Sequence, residues 1–213
     1  MMNSKNSRNL SLEVGKSVFF GHYHQKWTNE SHPQPIEWIV ISIKKGSALL
    51  LSKHILERMP FDHAVSGEMW IGCTMRKWLN ETFLHEAFTD EEMHCIQISK
   101  NTMDESDLYD DAVPYKCTTF DKVFALSQEE ICKMSERYLS AESTEYARNR
   151  ENAGDYGSDW WWLRTTLSDR KHCMIVQDGG RVNDRGDLVT AGYVGVRPAL
   201  WLNISKYNCR GCL

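Results

Sequence analysis

Seven side chains between residues 165 and 194 are the best equipped in this chain to meet another molecule: Arg170, His172, Arg181, Asn183, Asp184, Arg185 and Tyr193. Planar cations, an amide, a carboxylate and an aromatic ring hold a ligand by directed hydrogen bonds and stacking. That mixture suits recognition more than proton transfer. The stretch around them is polar and turn-rich, and it is expected to face a binding partner. Nucleophilic catalysis would need a Ser or Cys activated by a positioned base. No Gly-x-Ser-x-Gly elbow is present, and with seven cysteines and eight histidines chance pairings are easy. No catalytic residue is assigned. A small enzyme with a Cys/His site beside the same loops stays open as an alternative.

Metal chemistry has three weak footholds. His22 and His24 stand two apart on a predicted strand, so their side chains share a face, but the sequence names no further ligands. Cys209 and Cys212 form a C-x-x-C without the second pair a zinc site needs. Asp104, Glu105, Asp107, Asp110 and Asp111 crowd one segment, residues 101–111, that reads as a surface loop. Calcium takes six to eight oxygens from such carboxylates, yet the spacing lacks the turn glycine of an EF-hand, and a solvated loop is the simpler reading. No metal or cofactor is assigned. Arg185-Gly186-Asp187 spells an integrin tripeptide and is read here as a turn.

These side chains need a frame, and two apolar segments supply it. Trp160 to Arg164 and Gly195 to Asn203 bracket the polar stretch. With a period of two, Trp161 and Trp162 face opposite sides of one strand, so that strand is central. Arg164 and Arg197 end or enter these strands, where a fork of donors can satisfy several carbonyls or a carboxylate. Locking of the loop ends is the first reading and an anionic ligand the second. Pro198 limits the last strand and places it at an entrance or an edge.

Upstream, Ser17 to Tyr23, Ile36 to Ile43 and Ser47 to Ser52 read as three strands, the last two joined by a turn at Lys44, Lys45 and Gly46. Met75, Trp78, Leu79 and Phe83 predict an amphipathic helix over 74–83. Thr89 with Glu92 and Ser127 with Glu130 have capping-box spacing, and Val123 to Leu126 predicts a short strand feeding the second of these helices. Met174 to Gln177 and Arg181 to Asn183 form a hairpin about Asp178-Gly179-Gly180.

Composition bounds the rest. With 213 residues, 41% hydrophobic and 25% charged, the chain suffices for a single well-buried core. Residues 12–205 are read as a single domain, 1–11 as a flexible N-terminal tail and 206–213 as a C-terminal tail. A net charge of −4 with scattered Arg and Lys argues against nucleic acid or a membrane surface as partner. No secretory-type apolar stretch opens the sequence, and the odd cysteine count fits reduced thiols, so the expected setting is cytoplasmic.

In order along the chain, Pro35-Ile36-Glu37-Trp38, Ala48-Leu49-Leu50-Leu51-Ser52-Lys53, Arg76-Lys77-Trp78-Leu79-Asn80 with Phe83 and Ala87-Phe88, Asp121 to Ser127, Trp161-Trp162-Leu163-Arg164 and Gly195 to Leu200 resemble an uncharacterised bacterial family, the domain of unknown function numbered six-two-seven-three. The closing arrangement, an aromatic strand ending in Arg, a polar loop and Gly-Val-Arg before the last strand, resembles in turn the C-type lectin-like fold. That fold is shared by relatives of the formylglycine-generating enzymes and by retroelement variable proteins. The resemblance implies an α+β fold of mixed antiparallel sheets with short flanking helices, its ligand-presenting surface in the loops before the last strand. The sequence departs from the family by following Arg164 with Thr165, Thr166 and Leu167. Cys117, Cys132 and Cys173 do not match the paired cysteines of the enzymes, and the calcium motifs of sugar-binding lectins are missing. A non-catalytic binding domain is therefore expected, for which the resemblance implies a protein or glycan partner, with a phage or mobile-element scaffold as a further alternative.

Overall fold

The computed structural model describes residues 12–28, 32–104, 116–150 and 159–209. Its first three strands, β1 (Ser17–Tyr23), β2 (Gln34–Lys44) and β3 (Ser47–Ser52), form the antiparallel meander predicted from their β-branched and aromatic content. Ile36, Trp38 and Val40 of β2 alternate into the core. Lys45 and Gly46 both take positive φ, 48° and 77°, as a two-residue hairpin turn requires. A short β4 (Glu57–Arg58) follows and leaves this sheet.

The predicted helix over 74–83 is part of a longer helical run: α1 (Thr74–Trp78), a π-helical turn Leu79–Phe83, and α2 (Leu84–Ala87). The π turn aims Asn80 sideways. Its amide oxygen accepts from the N–H groups of Lys122 and Val123 (2.9 and 3.2 Å), and its Nδ2 donates to the Val123 carbonyl (2.8 Å). The start of α1 is held by Asp62. One carboxylate oxygen accepts from the Thr74 hydroxyl (2.7 Å) and the other from that of Ser66 (2.7 Å), with the backbone N–H groups of His63 and Thr74 adding to the first. Burial works against the charge, but these donors outweigh it and hold the carboxyl below the usual carboxylate range. A depressed folded-state pKa stabilises above the unfolded value and is lost as pH falls through the folded one. Asp62→Asn is accordingly expected to lower the urea midpoint at pH 7 and to differ less from wild type at pH 3. A gap that stays constant with pH would remove the carboxylate from this role.

Both capping boxes form, at α3 (Asp90–Cys95) and, further on, at α4 (Gln128–Ile131), each with reciprocal hydrogen bonds between the N-cap and its N3 glutamate. Between these helices lie β5 (Ile96–Gln97), β6 (Ser99–Asp104), β7 (Lys116–Asp121) and β8 (Val123–Phe124). Here the sequence reading is corrected: residues 101–104 are strand, not loop, and Asn101 is buried because its Nδ2 donates to buried Asp121 (2.8 Å). Residues 105–111 of the acidic cluster lie outside the described residues.

After α5 (Glu145–Arg148) come β9 (Trp161–Thr166), β10 (His172–Val176), β11 (Val182–Leu188), β12 (Gly195–Val196), β13 (Ala199–Asn203) and α6 (Ile204–Cys209). The architecture is mixed α/β, mostly antiparallel, with a curled half-barrel and a few short helices. One sheet runs β1-β2-β3-β13-β5, with β8 also on β13. A second runs β11-β10-β9-β12-β4, and β6 pairs with β7 alone. Trp161, Trp162 and Leu163 are fully buried, and β9 is the centre of the second sheet.

Three sequence-derived boundaries shift. The last strand is two strands in two sheets, because Pro198 carries no N–H and breaks the ladder where the chain crosses between them. Pro198 stands at the entrance to β13, one of the two places expected of it, while β13 is central and not an edge. Arg185-Gly186-Asp187 is no turn but part of β11, where extra residues oppose Met174 as a bulge. Gly186 takes φ 63°, and a Cβ there would sit 2.4 Å from the Cys173 carbonyl oxygen. Residues 206–209 lie in α6, not a tail, with Tyr207 buried edge-on against Phe20.

Candidate functional site

The β10–β11 hairpin carries most of the predicted recognition residues. Arg181 stands exposed at the entry to β11, its Nε donating to Gln177 Oε1 (3.3 Å) across the Asp178–Gly180 turn. Asn183, Asp184 and Arg185 follow on the edge strand, and the Asn183 side chain accepts from the Arg185 N–H (3.0 Å). At the other end of the hairpin His172 pairs with Leu188 in the ladder, and its Nδ1 lies 2.5 Å from Asp169 Oδ2. Asp169 also accepts from the N–H groups of Lys171 and His172. Although burial opposes it, the His172 ring and these amides hold its carboxyl low. Arg170 is exposed with positive φ (54°). Tyr193 is half-buried: its hydroxyl donates to Asp187 Oδ2 (2.6 Å) and its ring meets Trp160 edge-on.

The fold therefore groups Arg181 with Asn183, Asp184 and Arg185, and places His172, Arg170 and Tyr193 towards the opposite end. One contributor, a helix, escaped the sequence reading. The turn Asp178–Gly180 packs against a single-turn helix, Glu136–Tyr138, and between them opens a cavity of about 340 Å³ lined by Glu136, Leu139, Gly179, Gly180, Arg181 and Val182. Gly180 makes this approach possible, since a Cβ there would come within 2.9 Å of the Ser140 nitrogen. No local signal ties residue 136 to residue 181. The pairing exists only after folding.

The two framing arginines point inward. Arg164 grips Glu130 with a two-nitrogen fork (2.5 and 2.9 Å) and donates to the Ala125 carbonyl (2.8 Å). Glu130 is also the N3 residue of the α4 capping box, so β9 is tied to that helix start. Arg197 is wholly buried. It donates to the carbonyls of Ser52 (2.9 Å), Tyr138 (2.6 Å) and Leu139 (3.2 Å), and lies 5.0 Å over the Trp161 ring. Burial pushes its pKa down to about 9, which leaves it charged at neutral pH. A third polar knot, unseen in the sequence, is Asp121: Trp70 Nε1, Asn101 Nδ2, the Thr119 hydroxyl and Arg76 Nε all donate to its carboxylate.

This geometry sits in a recognisable stretch of sequence. The model of a domain of unknown function, DUF6273, matches residues 45–204. The chain belongs to that family. No curated protein and no solved structure matches it. The DUF6273 span runs from the turn before β3 to the start of α6, and it takes in Arg164, Arg197, Asp121 and the whole β10–β11 hairpin.

Other sequence candidates disperse. His22 is exposed on β1, whereas His24 lies beyond the strand end and stacks on Tyr146 (5.3 Å between centroids). Among the described residues no group of three or more His, Cys, Asp or Glu is placed to hold a metal. Cys212 lies outside the described residues, and Cys209 is exposed at the end of α6. Burial pushes the Cys73 thiol up to about 12 and raises that of Cys173 as well, which disfavours the nucleophilic thiolate at both. No described helix is long and apolar enough to cross a membrane.

Proposed function

We propose that this DUF6273 protein is a non-catalytic binding domain that presents residues 165–194, above all the β10–β11 hairpin, to a protein or glycan partner. The observation that carries the reading is the cavity beneath the hairpin turn. Glu136 and Arg181 both line it, together with the glycine backbone of the turn. Such a concavity offers a charged donor, a charged acceptor and exposed peptide groups to one ligand, on a turn anchored by a central buried strand. The buried thiols of Cys73 and Cys173 lend no support to a cysteine enzyme. In its finer form the proposal takes the scaffold as C-type lectin-like. The support is the order of the aromatic strand, polar loop and Gly-Val-Arg segment, in which the loops before the last strand present the ligand.

The test is a glycan array and a crosslinking pull-down with wild type and Arg181→Ala/Arg185→Ala. Both side chains are exposed. Their loss should weaken a captured partner about tenfold or more, the size of one hot-spot side chain. The thermal midpoint should move by only about 1 or 2 °C, as exposed substitutions do. Equal capture by both proteins would place the binding surface elsewhere.

A further inference from the structure

The edge of the second sheet opposite the hairpin carries a different cluster. Glu57 of β4 has a side chain only 5% exposed, an expensive place for a carboxylate unless it is paired. Its Oε1 accepts from the Arg58 N–H (3.0 Å) and lies 2.9 Å from Arg150 Nε, while its Oε2 accepts from the Tyr23 hydroxyl (3.1 Å). Aromatic rings wall the approach. The Arg150 guanidinium lies 5.6 Å over the Tyr146 ring, whose other contacts are His24 (5.3 Å), Trp27 (5.8 Å) and Tyr23 (6.0 Å).

Arg150 uses this site poorly. Its side chain is 46% exposed, and among the described residues its Nη1 turns to the Tyr146 hydroxyl at 3.4 Å instead of completing a fork on Glu57. The same chain shows what a locked pair looks like: Arg164, 4% exposed, places two nitrogens on the two oxygens of Glu130. Burial raises the Glu57 carboxyl pKa despite the Arg58 amide, Arg150 and Tyr23, so the carboxylate is left short of positive charge. A planar cation that could fork across both oxygens while stacking on Tyr146 would fit better than the resident one.

We infer that Glu57, Tyr23 and Tyr146 form a receptor for a guanidinium group, occupied in this structure by Arg150 and open to free arginine or to an arginine side chain of a polypeptide. The tethered Arg150 competes with any incoming group at an effective concentration on the order of millimolar, which keeps wild-type affinity low. The site stands at the β4 edge, independent of the hairpin proposal at the β11 edge.

The test is thermal stabilisation of Arg150→Ala by methylguanidinium, free L-arginine and N-acetyl-L-arginine amide, against sodium chloride of equal ionic strength. Arg150→Ala should be stabilised saturably at millimolar concentrations, wild type at least about twofold more weakly, and Arg150→Ala/Glu57→Gln not at all. Preference for the N-acetyl amide would identify a polypeptide side chain as the ligand source, and preference for L-arginine the free amino acid. Because Glu57 is buried, Arg150→Ala/Tyr146→Leu gives a second control, in which removing the aromatic wall should weaken binding about tenfold. The proposal is overturned if Arg150→Ala responds no more than to salt, or if either double variant binds as well as the single one.

Discussion

Replacing Trp161 or Trp162 by Ala is expected to cost about 3 to 5 kcal/mol each, the range for emptying a buried aromatic site. Both are fully buried on the central strand of the second sheet. They face opposite sides, so each substitution opens a cavity in a different layer. Each also strips a donor from a carbonyl: Trp161 Nε1 donates to Leu139 and Trp162 Nε1 to Met59, both at 3.0 Å. Trp161 additionally carries Arg197 over its ring, and Trp162 packs edge-on against Phe61. For a chain of this length the loss corresponds to a fall in melting temperature of about 10 °C. Urea and thermal unfolding of the two variants measure it. An unchanged midpoint in both would show that β9 is not the centre of the core.

Arg197→Ala should be of similar size, about 3 to 5 kcal/mol, for a different reason. The guanidinium joins the end of β3 at Ser52 to the Tyr138 and Leu139 carbonyls and to Trp161 of the other sheet. Removing it leaves a side-chain-sized void and orphans buried carbonyls, each costing on the order of 1 to 3 kcal/mol. Leu139 keeps the Trp161 indole as donor, so the loss falls on Ser52 and Tyr138. Arg197→Lys separates fork from charge. A lysine ammonium keeps the charge but lacks the planar fork that reaches β3 and the 138–139 turn together, and it should recover less than half of the loss. Full recovery by Lys would mean that charge over Trp161 is what matters, and a cost below about 1 kcal/mol for Ala would mean that the carbonyls find other donors.

Local physics was legible in the sequence. The hairpin at Lys45 and Gly46, the capping boxes at Thr89 and Ser127, and the central position of Trp161 and Trp162 each depend on residues a few positions apart, through turn geometry, reciprocal caps or alternation. Membership of the DUF6273 family followed from ordered motifs of the same kind. Where the reading slipped, a long-range partner had overruled a local signal. The Asn101 segment looks like loop by composition and is strand because it pairs with β7 and meets Asp121. Arg185-Gly186-Asp187 looks like a turn and is a bulge because β10 lies alongside it.

The sequence by itself determined the opening meander, the caps, the apolar frame and the β10–β11 hairpin. Only the tertiary structure decided what the polar groups do. Arg197 meets Ser52 across 145 residues and Tyr138 across 59, and Asp121 gathers Arg76 and Trp70 from 45 and 51 residues away. Glu136 and Arg181 come to line one cavity, and Arg150 reaches Glu57, likewise from distant positions in the chain. Backbone propensity and side-chain alternation are set by near neighbours, whereas the partner of a buried charge is whichever group the packed sheets bring within about 3 Å, and no local spacing encodes that distance.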